Sequence, residues 1–481
     1  MMLLMERDDA VFYQAYLARD ARFDGVVFLG VTSTGIYCRP VCTAKTPKRD
    51  NCRFFANAES AEKAGFRPCL RCRPELAPGS APVDDASRIA QLIVQRMEGA
   101  ESLEDIAAQF DLSSRQIRRI VQSELGVSPM ELILTRRLLL AKQLLTETQL
   151  PVTEIAYASG FGSLRRFNDA FVKQYKLAPT RLRKDAGETD SVEVGASSSL
   201  LLGYRPPYDW HGLLAFLSAR ALTGVEHVSE DTYARTVRIG GHSGWVRVQN
   251  ELARHALRVE FAHSLLPVLP QVLGRLRNLF DVTARPDLIN ATLGQSPLLC
   301  AAVEANPGLR VPGAFDGFEM AVRAVLGQQV TVKAATTLAR RFVQAFGEPL
   351  ATPFEGLNHA APTAEQVAVA TVEDIAKLGI IRTRAMSILA LAEACASGAL
   401  KLEAGVQPET VMRQLVALPG IGPWTAQYLA MRALRWPDAF PKEDIAILNA
   451  LGRPTPREAE VMSQAWRPWR SYAVLHLWKG I

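Results

Sequence analysis

Five of the seven cysteines in this 481-residue chain fall between positions 38 and 72, and no other feature constrains the fold so tightly. Cys38-x3-Cys42 and, 27 residues later, Cys69-x2-Cys72 are two chelating pairs, each tight enough to put two sulfurs on one ion. Tetrahedral Zn²⁺ with four thiolates is the natural occupant of such a set, so one Zn²⁺ per chain is expected on Cys38, Cys42, Cys69 and Cys72. A module this small has little core of its own and depends on the ion to fold. Cys52 lies outside both pairs and reads as a packed thiol, while Cys300 and Cys395 stand alone in apolar, helix-like surroundings. Clustered cysteines in a chain without an export signal bind metal rather than pair as disulfides. Met1 to Met5 is apolar but runs at once into Glu6, Arg7, Asp8 and Asp9, without the long core and small-residue cleavage site of a signal peptide. No apolar run approaches the ~18–20 residues that span a bilayer. A cytoplasmic protein without a membrane partner is therefore expected.

Charge narrows the partners. Residues 1–83 hold 12 Lys/Arg against 9 Asp/Glu, residues 84–184 hold 15 against 12, and residues 185–481 hold 28 against 28. The whole net charge of +6 thus lies in the first 184 residues, a local excess suited to a polyanion. Around the cysteines stand Arg39, Lys45, Lys48, Arg49, Arg53, Arg67, Arg71 and Arg73. Four thiolates on Zn²⁺ leave a charge of −2 and keep the sulfurs electron-rich. A nucleophilic sulfur beside a phosphate backbone is placed to accept an alkyl group, although spacing alone does not single out one of the four.

With 48% hydrophobic and 22% charged residues, the chain is folded protein of several domains. Residues 185–199 are small, polar and acidic and read as a linker, and Pro74 to Pro82 forms a weaker break. The expected fold class is multidomain α+β. Residues 1–78 form a small zinc-bound α/β module with a short hairpin near Asp24 to Tyr37. Residues 84–184 are all helix. Residues 200–481 combine a mainly β-containing part (200–312, with strand patterns near 232–262) and a helical part (313–481).

In the middle segment a short helix from Ser102, a capped turn at Asp111-Leu-Ser-Ser and a basic amphipathic helix from Arg115 spell a helix-turn-helix. The grammar recurs about fifty residues later, with Val152 to Ala158, a turn through Gly160 and Gly162, and a helix from Leu164. A long helix over about 129–146 joins the copies. Ser114, Arg115, Gln116, Arg118 and Arg119, with Arg165, Arg166 and Asn168, are candidates for the DNA-facing surfaces.

Near the carboxy end, Leu418-Pro-Gly-Ile-Gly-Pro-Trp-Thr-Ala426 lies between two helical stretches and has the form of a helix-hairpin-helix. Pro419, Gly420 and Gly422 permit a tight hairpin whose amides, at a helix start, bind a phosphate without reading sequence. Gly420, Gly422 and Thr425 are the positions expected to meet DNA. About twenty residues on, Asp444 offers a carboxylate at the start of another helix.

Three stretches resemble known families. Thr34-Gly-Ile-Tyr-Cys38-Arg-Pro-Val-Cys42 and Ala64-Gly-Phe-Arg-Pro-Cys69-Leu-Arg-Cys72 resemble the zinc module of Ada-type adaptive-response regulators. That resemblance implies a methyl acceptor, Cys38, that takes its methyl from a DNA methylphosphotriester, while local charge makes Arg39, Lys45, Arg67 and Arg71 the candidates to meet the backbone. The paired helix-turn-helix copies resemble the AraC-type domain of the same regulators, implying promoter binding and RNA polymerase as a partner. Residues 200–481 resemble AlkA-type 3-methyladenine DNA glycosylases, from Tyr204-Arg-Pro-Pro-Tyr-Asp-Trp through Leu326-Gly-Gln-Gln to Trp466-Arg-Pro-Trp-Arg-Ser-Tyr-Ala.

The glycosylase resemblance implies Asp444 as the catalytic carboxylate and Phe216, Trp424, Tyr428 and Trp478 as the walls of a base pocket, where a cationic alkylated purine would stack. Gln329 stands where the family has a leucine wedge, and Ile445 where it has an aromatic. Trp424 occupies the hairpin position of the Schiff-base lysine found in strand-cleaving relatives, so hydrolysis without nicking is implied. No cysteine follows Cys395, so no iron–sulfur loop is expected, and neither Cys300 nor Cys395 has the setting of an O6-methylguanine acceptor. The whole implies a DNA repair protein and transcriptional activator that acts on double-stranded DNA, both promoter and damaged, and is associated with the nucleoid. The rival reading is a regulator alone, whose glycosylase-like domain senses damage without excising it.

Overall fold

The computed structural model describes residues 9–79, 89–90, 93–94, 96–97, 102–109, 112–185, 197–404 and 406–479. Most of the expected linker, and Asp111 of the predicted capped turn, lie outside these residues. Two compact units emerge: Met1–Pro206 with Glu251–Gln271 and Val282–Arg285, and Pro207–Asn250 with Val272–Asp281 and Pro286–Ile481. Among the described residues no helix is long and apolar enough to cross a membrane.

The first unit begins with a four-stranded sheet in the order β3-β1-β2-β4. Strands β1 (Phe28–Val31) and β2 (Ile36–Cys38) form the expected hairpin, with β3 (Cys52–Phe55) antiparallel to β1 and β4 (Arg67–Pro68) parallel to β2. Side chains of a strand alternate between faces, so neighbours in sequence serve different cores. Leu29, paired with Cys38, joins Tyr16, Val27 and the cysteines on one face. Phe28 and Tyr37 join Ala58, Ala61 and Phe66 on the other. Cys38 therefore faces the metal cluster while its neighbour Tyr37 anchors the opposite side of the sheet.

The helical middle carries both predicted helix-turn-helix copies. Leu103–Gln109 and Ser114–Leu125 form the first, the latter opened by a capping box between Ser113 and Gln116. Val152–Ala158 and Leu164–Tyr175 form the second, and Pro129–Glu147 joins them. Ile106, Ile117, Val121, Leu132 and Ile133 make one core. The other holds a ladder of rings, Phe161 to Phe167 to Phe171 to Tyr175, with successive centroids 5.3, 5.4 and 4.5 Å apart.

The zinc module packs closely on this helical part. Asn57 Nδ2 and Ser60 Oγ donate to the Leu125 carbonyl at 2.9 and 3.3 Å, satisfying the end of helix Ser114–Leu125. Glu62 is buried where the two parts meet, accepting from the Tyr37 hydroxyl at 3.0 Å and from Thr135 Oγ1 at 3.0 Å. A second buried cluster joins Arg73 to Glu75 and Glu147, and Lys142 to Glu75. Removing one partner of such a set costs about 3–5 kcal/mol, because a charge is left buried and unpaired.

Strand β5 (Ser197–Gly203) pairs antiparallel with β9 (Ala256–Ala262). It takes in the last three residues of the expected linker. Ser197 to Ser199 carry no apolar signal, and it is their register with Glu260 to Ala262 that makes them strand.

In the second unit β6 (Glu226–Val228), β7 (Thr232–Ile239) and β8 (His242–Glu251) form an antiparallel meander. Helices dominate beyond it, as expected, apart from a short strand pair of Glu348–Pro349 with His359–Ala360. The meander is tied to helix Gly317–Leu326 by buried ion pairs, Arg235 to Glu319 at 2.7 Å and Arg323 to Glu226 at 2.8 Å.

Candidate metal centre and candidate active site

The four cysteines converge as their spacing requires. Cys38 ends β2, Cys69 follows β4, and Cys42 and Cys72 come from the adjoining turns. Their sulfurs all lie within 4.8 Å of one another, close to the roughly 3.8 Å edge of a tetrahedron built from Zn–S bonds of about 2.3 Å. Cys38, Cys42 and Cys69 are buried and Cys72 is half-buried. Thiolate donors in this number and geometry fit Zn²⁺. A backbone amide reaches the cluster, Arg39 N–H donating to Cys72 Sγ at 3.3 Å. Cys52 packs in the same core, its thiol donating to the Lys48 carbonyl at 3.1 Å.

The basic residues around the cluster divide in two. The Arg39 guanidinium is held by Asp24, with Nε at 2.8 Å from Oδ1, and by the carbonyls of Cys72 and Arg73, leaving the side chain 12% exposed. It braces the loop that carries Cys72. Arg53 lies over Phe55 and Phe66, and Arg73 is engaged in the buried ion cluster. Lys45, Lys48 and Arg71 are exposed, and Arg67 is half-buried. On the helical part Arg115, Arg118, Arg119, Arg165 and Arg166 are all exposed, whereas Gln116 closes the capping box and Ser114 donates to Glu104 at 3.3 Å.

In the second unit the hairpin leads into helix Pro423–Arg432, with Gly422 at its cap. Gly420 has φ +72°, and a Cβ there would meet Ser387 Oγ at 2.3 Å, so the turn needs glycine both for its conformation and for its approach to helix Arg382–Ala396. Thr425 is buried, its hydroxyl accepting from Gln328 Nε2 at 3.1 Å, so its side chain faces inward and only its backbone belongs to the helix start.

Asp444 caps helix Ile445–Ala450, its Oδ1 accepting from Ile447 N–H at 3.0 Å. The same carboxylate is held by two indoles: Trp424 Nε1 donates to Oδ2 at 2.8 Å, and Trp478 Nε1 to Oδ1 at 3.1 Å. Capping and the predicted catalytic position therefore coincide. Trp424 and Tyr428 stack nearly parallel, centroids 5.3 Å apart, and Tyr428 lies 6.4 Å from Trp478. Phe216 reaches this group through Arg432, whose guanidinium lies 4.9 Å from the Phe216 ring and donates to the Tyr428 hydroxyl at 2.6 Å. Arg432 is buried, its pKa pulled below the usual arginine value by desolvation, and it is further satisfied by the carbonyls of Pro312 and Gly313. Gln329 is exposed in the left-handed region at φ +52°, and Ile445 is 76% exposed beside Asp444.

Arg432, Gln328 and Arg384 were not among the predicted site residues. The signal for Arg432 was its spacing of four from Tyr428 on one helix, which places the two side chains on the same face.

Comparison with known proteins identifies the domains that carry these residues. Residues 11–75 match the metal binding domain of Ada, 106–185 a helix-turn-helix domain, 199–316 the AlkA N-terminal domain, and 322–471 the HhH-GPD superfamily of base excision DNA repair proteins. Over 476 residues the chain is 39% identical to the probable bifunctional transcriptional activator/DNA repair enzyme AlkA of Mycobacterium tuberculosis, covering 97% of this chain and 95% of that protein. The chain belongs to the AlkA-type bifunctional transcriptional activator/DNA repair enzyme family. Its carboxy-terminal part is similar to DNA-3-methyladenine glycosylase 2 of Escherichia coli, at 38% identity over 277 residues, 58% of this chain and 95% of that enzyme. The solved 3-methyladenine DNA-glycosylase from Archaeoglobus fulgidus shares the fold, with a TM-score of 0.51 at 20% identity over 58% of this chain and 97% of that one. This AlkA-type bifunctional chain thus joins an Ada-type domain, which holds one Zn²⁺ on Cys38, Cys42, Cys69 and Cys72, to a DNA-binding helix-turn-helix domain and a glycosylase body.

Proposed function

We propose that the chain excises alkylated purines from DNA by hydrolysis and, separately, takes a methyl group from a DNA methylphosphotriester onto Cys38, using the second reaction to activate transcription. The observation that carries the excision reading is the Asp444 carboxylate fixed by Trp424 and Trp478 beside stacked aromatic rings. A flipped alkylpurine stacks on these rings. As the N-glycosidic bond breaks, its electron pair leaves with the base, and positive charge grows on the sugar. The preoriented carboxylate stabilises that charge without having to reorganise, and water then adds to C1′ and gives up a proton. The hairpin from Leu418 to Ala426 contains no lysine, which supports base release without strand cleavage.

At the other site zinc, when bound, keeps four sulfurs as thiolates. Cys38 Sγ attacks the methyl carbon, an S–C bond forms as the C–O bond breaks, and the phosphodiester leaves as an anion. Cys38 is the choice supported by the likeness to the metal binding domain of Ada, a resemblance that implies the first of the four cysteines as the acceptor. Exposure alone would favour Cys72. Lys45, Arg71 and the exposed arginines of both recognition helices supply the phosphate contacts, and RNA polymerase is the partner that reads the resulting promoter complex in the cytoplasm.

The test is incubation of the full chain with methylated duplex DNA. Free 3-methyladenine with unbroken strands is the expected result. Absence of any base release would leave the regulator-only reading in its place.

A further inference from the structure

Helix Gly317–Leu326 ends in Gly327-Gln328-Gln329, and these three residues present two opposite environments. Gln329 projects into solvent from a left-handed backbone, a conformation that a non-glycine residue keeps only when its surroundings impose it. Gln328 supplies those surroundings. Its Nε2 donates both to the Gly420 carbonyl and to Thr425 Oγ1, each at 3.1 Å, and its own carbonyl accepts from Arg384 Nη2. The two acceptors belong to the hairpin and to the first turn of the helix behind it.

We infer that Gln328 is a positioning residue that locks the exposed Gln329 to the helix-hairpin-helix, so that binding of a phosphate by the hairpin sets the depth at which Gln329 meets the base stack. This rests on the glycosylase reading and adds a coupling to it. The side-chain amide has two donors, and both are used on one rigid element, which fixes the residue that follows in translation and in rotation. Gln329 is polar and fills a gap in the stack less forcefully than an aliphatic wedge. Its placement must therefore supply what its chemistry does not.

The effect should depend on how firmly the target base is paired, because extrusion costs least for a mispaired base. The experiment compares full-length wild type with Gln328→Met, which keeps length and bulk but has no donor, on duplexes carrying 7-methylguanine opposite cytosine or opposite thymine. Single-turnover release and duplex affinity are both measured. Loss of the two hydrogen bonds is expected to slow release about tenfold at the paired lesion and less than about threefold at the mispaired one, with affinity unchanged. Gln328→Ala should follow the same pattern, which guards against a packing defect peculiar to methionine. Equal losses on the two duplexes would mark a merely structural residue and overturn the inference, as would undiminished release from the paired duplex. Failure of wild type on both duplexes would overturn the glycosylase reading itself.

Discussion

Trp424 Nε1 lies 2.8 Å from Asp444 Oδ2, and the indole that makes this bond is the one stacked on Tyr428. A single side chain therefore sets both the stacking surface and the aim of the carboxylate. Trp424→Phe keeps a ring but removes the donor. A hydrogen bond to a charged group is worth about 1.5–3 kcal/mol, so kcat for base release is expected to fall about 10–100-fold while KM changes little. Trp478→Phe should cost less, because Oδ1 keeps its bond from Ile447 N–H. Steady-state kinetics on both variants check the order.

Metal analysis of the full chain should find one zinc, and Cys69→Ala should lose it. Residues 9–79 then lose hydrogen-exchange protection, because their cysteine-bearing core is built around the sulfurs. Full protection without metal would contradict the role given to the cluster.

Burial pushes the Glu62 carboxyl up to about 8, against hydrogen bonds from Thr135 and Tyr37 that pull it down. A folded pKa above the unfolded value of about 4.5 means that the folded state binds this proton more tightly. The resulting stability is fully present below about pH 4.5 and is lost as pH rises through about 8. With zinc saturating, the first unit should thus be less stable at pH 9 than at pH 6, by an amount on the order of a few kcal/mol, and melt at a lower temperature. Glu62→Gln should flatten this dependence, as thermal melts across the pH series would register.

Methylation of Cys38 changes the four-cysteine zinc site from −2 to −1. At an effective dielectric of ~20, one unit charge ~8 Å from a phosphate contributes about 2 kcal/mol before screening, so promoter binding should tighten roughly tenfold. The gain should shrink with added salt and be absent in Cys38→Ser. A thioether is a poor leaving group, so each molecule should accept one methyl. Promoter titrations before and after exposure to methylphosphotriester DNA provide the measurement.

Local patterns in the sequence foretold much of this. Cysteine spacing revealed the metal cluster, and capped amphipathic periods revealed both helix-turn-helix copies, because each signal lies within a few residues. What escaped was set by distant partners. Trp424 and Trp478 meet Asp444 across 20 and 34 residues, and only the resemblance brought the three together. Arg39 has the same chemistry as Arg71, but Asp24 claims its guanidinium, and residue type does not foretell that. Thr425 turns inward because Gln328, 97 residues away, needs an acceptor there. Strand β5 starts within serines whose only strand signal is the partner they pair with.

The central claim is that two alkylation chemistries reside at two independent sites of one chain. The direct measurement assays wild type, Asp444→Asn and Cys38→Ser, each as the full chain, for 3-methyladenine release and for methyl transfer from a methylphosphotriester. Loss of a stabilising group of this kind typically costs ~10²–10³-fold. Asp444→Asn is expected to lose base release and keep methyl transfer, while Cys38→Ser does the reverse. Base release by Asp444→Asn within about threefold of wild type, or loss of both activities in either folded variant, would contradict the claim.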